Sequence, residues 1–285
     1  MLLKEIKTIF HQELDAIYPK EEVDAFFYRL IEHYLQLERF VLVMHPNHTI
    51  TKEEEQPLFE ALSGLKLEKP LQYITGMAYF MDLELKVNAH VLIPRPETEE
   101  LVAWIISDYQ VEQNRELNIL DIGTGSGCIA IALAKNLPNA KVYALDVSTK
   151  ALEVVHQNAT LNNVDVTLVQ KDILNPKLDL ELKFDIIVSN PPYVRELEKE
   201  KIKENVKAYE PSLALFVPDE DALLFYRAIV AFAKEHFSEK GCLYLEINQY
   251  LGKETKALLE AHNFSEIELR KDLFGNDRML KAIKP

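Results

Sequence analysis

Apolar residues recur at three- and four-residue steps through the first seventy positions. Leu2, Leu3, Ile6, Ile9, Phe10, Leu14 and Ile17 share one helical face, and Pro19 closes the run. Val23, Phe26, Phe27, Leu30, Ile31, Tyr34 and Leu35 repeat the pattern. A shorter segment, Leu37 to Met44, stops at His45-Pro46. Thr51, with Glu54 three positions later, forms a capping box that starts a helix running to Gly64. This predicts a helical bundle over residues 1–70 with no catalytic grouping visible in it.

The texture changes between Gln72 and Pro94. Phe80, Leu83, Leu85 and Val87 nearly alternate with polar positions, which predicts a β-hairpin linker over residues 71–94. Beyond Arg95 strands and helices alternate. Strands are predicted at 118–122, 141–146, 165–170, 184–189 and 241–247, with helices at 129–136, 151–158 and 222–236. Such alternation implies an α/β domain over residues 95–285, a mostly parallel sheet covered by helices on both faces. Strand-like runs at 267–269 and 279–283 predict an antiparallel pair at one edge.

Composition narrows the class. Of 285 residues 48% are hydrophobic and 27% charged, enough to fill a sizeable core. The net charge of −14 argues against long-range attraction to nucleic acid or to an anionic membrane, so no direct nucleic-acid or membrane partner is expected. No apolar run approaches the roughly 20 residues of a membrane helix. Met-Leu-Leu-Lys-Glu-Ile-Lys at the start carries no signal-peptide core, and two cysteines, Cys128 and Cys242, cannot build a disulfide framework. A cytoplasmic location is expected.

Only 8 glycines are present, and three of them, Gly123, Gly125 and Gly127, fall within five residues. The stretch Leu-Asp-Ile-Gly-Thr-Gly-Ser-Gly-Cys follows the first predicted strand and opens a helix, so Gly123, Thr124, Gly125, Ser126 and Gly127 form a loop that a ligand can approach closely. A dinucleotide fingerprint wants Gly or Ala where this chain has Cys128, which opposes a nicotinamide-dependent oxidoreductase. The spacing G-x-G-x-G preceded by Asp121 resembles class I S-adenosylmethionine (SAM) methyltransferases. Asp146, ending the second strand, suits a ribose diol as acceptor, and Asp172 is placed to meet an adenine edge. Alone, either aspartate would read equally well as a turn or a helix cap. Cys128 reads as a small buried residue rather than a nucleophile.

Strand four ends in Asn190-Pro191-Pro192-Tyr193. Successive prolines force a rigid extended turn at the carboxyl end of a parallel strand, where ligands bind. The residues are similar to those of amino-group methyltransferases, which modify planar NH₂ groups on adenine, guanine or glutamine. A conjugated NH₂ is a poor nucleophile, so the site must align it and favour the positive charge it develops. The Asn190 carboxamide oxygen and the Pro191 carbonyl could accept its two N–H groups, and Tyr193 would sandwich the planar target. No metal is required.

These motifs together resemble the protein-(glutamine-N5) methyltransferases that act on peptide-chain release factors, the PrmC/HemK family. The resemblance extends over the helical N-terminal region, Pro70 to Gly76, Ile93 to Glu99, the glycine loop, Asn190 to Tyr193, Glu210-Pro211, Phe225-Tyr226-Arg227 and Asp272 to Arg278. It implies a class I SAM methyltransferase domain, a Rossmann-like seven-stranded sheet with an antiparallel edge hairpin. The implied cofactor is SAM, leaving S-adenosylhomocysteine as product. The implied substrate is the glutamine of the Gly-Gly-Gln motif of release factors, with the N-terminal bundle gripping a second part of the factor. Arg95 and Glu97, in a segment that borders the cofactor site in the family, join the candidate cofactor contacts, as do Ile173 and Asn190; Pro191, Pro192 and Tyr193 join Asn190 as candidate substrate contacts. Arg95 to Glu99 also reads as a helix start, with Pro96 at the first position and acidic residues favouring its dipole. A monomer is expected.

The chain departs from the family at several points. Val217-Pro218 and Ala222 stand where glycines are usual, Asn248 follows Ile247 where Gly is frequent after Glu246, and Ile173 replaces an aromatic found in some relatives. Residues 195–207 are densely charged and read either as a lid or as a solvated helix or loop. His45 and His48 lack thiolate or carboxylate company, so an exposed helix end is the better reading than a metal site. Two rival functions remain: a nucleic-acid amino-group methyltransferase, disfavoured by the charge and the lack of a basic stripe, and a non-catalytic adaptor, disfavoured by the retained Asn190 and glycine loop.

Overall fold

The computed structural model describes residues 1–110, 116–175 and 177–284. The chain divides into two compact units, Met1–Gly76 and Met77–Pro285.

The first unit is helical: α1 (Leu3–Leu14), α2 (Lys20–Leu35), α3 (Val41–Met44), α4 (Lys52–Lys66) and α5 (Leu71–Thr75). The predicted apolar faces supply its core, with Leu3, Ile6, Phe10, Leu14, Val23, Phe27, Leu30 and Ile31 all fully buried. Thr51 and Glu54 form the expected capping box, Glu54 N donating to Thr51 Oγ1 at 3.3 Å and Thr51 N to Glu54 Oε2 at 2.8 Å. Two boundaries differ from expectation. Pro19 does more than stop α1, because it caps α2 at its amino end. Helix α4 passes through Gly64 instead of ending there, and a Cβ at Gly64 would lie 3.1 Å from the Ile74 side chain. The glycine permits close packing against α5, so its role is lateral rather than terminal. His45 and His48 sit in a turn, His48 N donating to His45 O at 3.0 Å.

Residues 71–94, expected as one linking hairpin, divide between the units. Residues 71–75 form α5, closed by Gly76 at φ 72°, while β1 (Met77–Phe80) and β2 (Leu83–Lys86) pair antiparallel in the second unit. Asn158 holds β2 there: Lys86 N donates to Asn158 Oδ1 at 2.6 Å, and Asn158 Nδ2 donates to Lys86 O at 2.9 Å.

The second unit continues with α6 (Pro96–Tyr109), β3 (Leu117–Ile122), α7 (Cys128–Asn136), β4 (Ala140–Asp146), α8 (Thr149–Asn162), β5 (Val166–Gln170) and β6 (Phe184–Ser189). Then follow β7 (Val194–Arg195), α9 (Glu204–Tyr209), β8 (Phe216–Val217), α10 (Leu224–His236), β9 (Phe237–Glu246), α11 (Gly252–Ala261), β10 (Ser265–Lys271) and β11 (Asp277–Ile283). Seven strands form one sheet in the order β10-β11-β9-β6-β3-β4-β5. Pairs β9/β6, β6/β3, β3/β4 and β4/β5 are parallel, whereas β11 runs antiparallel to both β9 and β10. This is the predicted mostly parallel sheet with an antiparallel edge. Side chains alternate between faces as the pleat requires. Ile119, Val142 and Ile186 pack with α6, α7 and α8, while Leu120, Leu145 and Ile187 pack with α10 and Leu259 of α11.

Helix α11 was not foreseen, because of its three buried residues, Gly252, Thr255 and Leu259, only Leu259 contributes an apolar side chain. The two-residue pair β7/β8 was also unforeseen. Val217, one of the replaced glycines, is 1% exposed and pairs with Arg195 there. Residues 195–207, the candidate lid, contain a 3₁₀ turn at Glu196–Lys201 and the start of α9. Glu198 anchors the turn: it is buried and accepts from Arg195 Nε at 3.0 Å and from Asn248 Nδ2 at 2.9 Å. Asn248, also standing where a glycine is frequent, thus ties this turn to the end of β9.

Candidate active site

Parallel strands β3, β4, β5 and β6 bring four loops to one end of the sheet. A cavity of about 370 Å³ opens among them, lined by Gly123–Ser126, Asp146–Ser148, Lys171–Leu174 and Ser189–Pro192. Residues 89–95, Thr98, Cys128, Pro211, Leu213, Ala214, Phe225 and Ile229 are among the others in its wall. Its size falls in the range of about 300–1,000 Å³ typical of small-ligand sites.

The glycine loop takes a backbone path that side chains resist. Gly123, Gly125 and Gly127 have φ of 71°, 55° and 82°. Gly123 N and Thr124 N both donate to Leu145 O, at 2.8 and 3.1 Å, pinning the loop over the end of β4. A Cβ added at Gly123 or Gly125 would meet no atom within 4 Å, so the loop presents bare backbone to open space. Beneath it Asp121 is fully buried, accepting from Thr124 Oγ1 at 2.6 Å. Burial pushes its carboxyl up to about 7. Burial likewise pushes the Cys128 thiol up to about 12, so that residue is held as a neutral packing group.

Asp146 lines the cavity, and burial raises its carboxyl. Each oxygen accepts one backbone amide, Oδ2 from Gly125 N at 3.0 Å and Oδ1 from Ser148 N at 2.9 Å. An ionised carboxylate has about four lone-pair sites, so acceptor capacity remains for a diol. Asp172 and Ile173 line the cavity at the end of β5. Asp172 also fulfils the turn reading, its Oδ1 accepting from Leu174 N at 2.9 Å. Arg95 lines the cavity and is held by buried Glu210, Nη2 to Oε1 at 2.6 Å, with Ile93 N donating to Glu210 Oε2 at 3.2 Å. Glu97 does not line the cavity; it sits half-buried in the first turn of α6, where the helix-dipole reading applies.

At the end of β6, Asn190, Pro191 and Pro192 line the cavity. Asn190 Nδ2 donates to Thr98 Oγ1 at 3.1 Å, and Asn190 Oδ1 accepts nothing from the described residues. Tyr193 departs from expectation. It is not among the residues lining the cavity, and its ring packs against the core beside α10. Its hydroxyl donates to Glu246 Oε1 at 3.0 Å. A buried carboxylate thus holds the phenol oxygen at the back of the site.

Glu246 itself is 1% exposed and was not singled out from sequence. Its Oε2 accepts from Thr98 Oγ1 at 2.6 Å. Burial raises its pKa, opposed by the bonds from Thr98 and Tyr193 and by the nearby charge of Arg278. Thr98, Phe225 and Ile229 are further wall residues that sequence reasoning passed over. The signal available was a threonine in a helix's first turn and an aromatic inside the Phe225-Tyr226-Arg227 motif.

Comparison with known proteins fits this geometry. The family model for the PrmC N-terminal domain matches residues 7–76, and that for the methyltransferase small domain matches residues 105–208. A release factor glutamine methyltransferase of Flavobacterium psychrophilum is 54% identical over 283 residues, covering 99% of both chains. The chain belongs to the release factor glutamine methyltransferase family. Another member, from Bacteroides thetaiotaomicron, is 41% identical over 280 residues, covering 98% of this chain and 99% of the relative. A solved methyltransferase from Pyrococcus furiosus, 19% identical, superposes with a TM-score of 0.50 over 82% of this chain and 99% of its own, a likeness of fold. Membership of the family makes the fold a class I SAM methyltransferase and the cofactor SAM. Among the described residues no helix is long and apolar enough to cross a membrane.

Proposed function

We propose that this chain transfers the methyl group of SAM to the side-chain amide nitrogen of the glutamine in the Gly-Gly-Gln motif of peptide-chain release factors. The observation that carries the reading is the Asn190 carboxamide, which lines the cavity with its NH₂ engaged by Thr98 and its oxygen unoccupied by the chain. The family's named activity supplies the substrate class. The site also fits SAM: bare backbone at Gly123 and Gly125, and acceptor capacity on Asp146, suit a nucleoside with an attached amino-acid tail. When bound, SAM supplies an electrophilic methyl on sulfur and leaves as S-adenosylhomocysteine.

The chain's residues then deal with a weak nucleophile. An amide nitrogen delocalises its lone pair, and the rotation barrier of about 18–20 kcal/mol measures how firmly. Asn190 Oδ1 and the Pro191 carbonyl accept its two N–H groups, and Pro191 and Pro192 stiffen the turn that carries them. As nitrogen gains a fourth bond and positive charge, those two acceptors gain strength, which lowers the barrier. The extra proton then leaves to solvent, so no strong base is needed. Arg95, Asp172 and Ile173 are read as cofactor contacts, and residues 1–76 as the part that grips the factor elsewhere. A monomer working in the cytoplasm, without direct nucleic-acid or membrane contact, completes the reading.

The test is incubation of the purified chain with methyl-labelled SAM and its own organism's release factors, parental or with the Gly-Gly-Gln glutamine changed to alanine. Label is expected on the parental factor alone. Label on both, or only on RNA or DNA, would overturn the reading. Asp146→Asn should weaken SAM binding about 10- to 100-fold, the loss of a charged acceptor worth roughly 1.5–3 kcal/mol. Titration calorimetry giving an unchanged Kd would remove Asp146 from the cofactor site.

A further inference from the structure

Methyl transfer as read above requires Asn190 to face its target with oxygen. An asparagine has an acceptor at one end of its carboxamide and two donors at the other, and nothing in the side chain fixes which end points where. We infer that Thr98 and Glu246 are positioning residues that fix the Asn190 carboxamide with its oxygen toward the cavity, an inference resting on the methyl-transfer reading.

The available hydroxyl protons set the orientation. Thr98 is 2% exposed and Glu246 1%, so water does not complete their hydrogen bonds. Thr98 has one hydroxyl proton, and it goes to Glu246 Oε2 at 2.6 Å. Tyr193 commits its own hydroxyl proton to Glu246 Oε1 at 3.0 Å. With each carboxylate oxygen accepting one of these hydroxyls, Glu246 turns no proton toward Thr98. Thr98 Oγ1 therefore offers Asn190 only lone pairs, and Asn190 answers with Nδ2 at 3.1 Å. A flipped amide would set Oδ1 against those lone pairs, oxygen facing oxygen in a buried site, with the NH₂ turned toward the target. Donors facing an amide nitrogen would oppose the positive charge it must develop.

The relay sits on rigid parts. Thr98 lies in the first turn of α6, fixed by Pro96 at the helix start and by Thr98 N donating to Arg95 O at 3.1 Å. Glu246 ends β9, where Tyr226 donates to its carbonyl at 3.3 Å. Burial, with a smaller contribution from Glu97, raises the Glu246 carboxyl, and the hydrogen bonds from Thr98 and Tyr193 and the positive charge of Arg278 oppose that rise. None of these residues needs to touch the target; they act through Asn190.

The test measures methyl transfer to a release factor by the full chain and three variants. Thr98→Val keeps the shape and removes the hydroxyl. Its kcat should fall on the order of 10- to 100-fold, the KM for the factor and the Kd for SAM staying within about threefold. Thr98→Ser should restore most of kcat. Glu246→Gln should lower kcat as well, because its amide can donate to Thr98 and free that hydroxyl to face Asn190 the wrong way. SAM binding by each variant reports that the fold is intact, and if Thr98→Val loses it, Glu246→Gln decides. Variants that bind SAM and keep kcat within about twofold would overturn the relay, as would a Thr98→Val loss confined to KM, which would make Thr98 a direct contact. An inactive parental chain would instead sink the methyl-transfer reading.

Discussion

Asn190→Ala is expected to lower kcat for methyl transfer by about 10²–10³-fold or more while leaving the SAM Kd within about threefold. In the proposed mechanism the carboxamide is one of two acceptors for the target amide, and the Pro191 carbonyl alone would not both align the nitrogen and stabilise the charge it acquires. The side chain's only bond within the described residues is to Thr98 Oγ1, so its removal frees a short polar contact and leaves the glycine loop untouched. Gly123 and Thr124 remain pinned to Leu145, and Asp146 keeps its two backbone donors. Single-turnover kinetics together with calorimetric SAM binding check the split. A loss of SAM affinity of several kcal/mol would mean that Asn190 holds the cofactor instead of the target.

Gly127→Ala should damage both stability and cofactor binding. Gly127 has φ 82°, which costs an L-residue roughly 1–2 kcal/mol. An added Cβ would also sit 2.9 Å from Val155 Cγ1 and 3.1 Å from Ile131 Cδ1. Both neighbours are β-branched and packed, so overpacking adds about 1–3 kcal/mol. Together these predict a fall in Tm of roughly 5–15 °C for the second unit. Relief of the clash pushes the turn away from α8, and Ser126 O is held there by Asn158 Nδ2 at 3.0 Å, so SAM binding weakens with it. Gly123→Ala is the informative contrast: it carries the positive φ, 71°, without any atom within 4 Å of the new methyl. It should lose less stability. Thermal unfolding of both variants checks this, and equal unfolding temperatures for Gly127→Ala and the parental chain would refute the packing argument.

Much of this architecture was legible in the order of residue types. The strand–loop–helix alternation, the glycine loop and the rigid proline turn after β6 each follow from constraints acting within a few residues. A period of two or of 3.6 declares the element, positive φ demands glycine, and proline fixes its own backbone. The antiparallel edge was legible for the same reason. Helix α11 escaped because Leu259 is its one buried apolar side chain, and β7/β8 because two residues carry no period.

The orientation of side chains at the site lay outside that local logic. Tyr193 belongs to a tetrapeptide that suggests stacking, yet its hydroxyl is drawn to Glu246, 53 positions away in the chain. Glu246 meets Thr98 across 148 positions, and Arg95 meets Glu210 across 115. Pairings of that span are set by which strand lies beside which, and by the cost of burying a carboxylate without donors. The chain's local chemistry therefore specified the elements, the loop and the candidate amide at its strand end. The packed sheet settled which of that amide's two faces meets the cavity, because only packing brings Thr98 and Glu246 together behind Asn190.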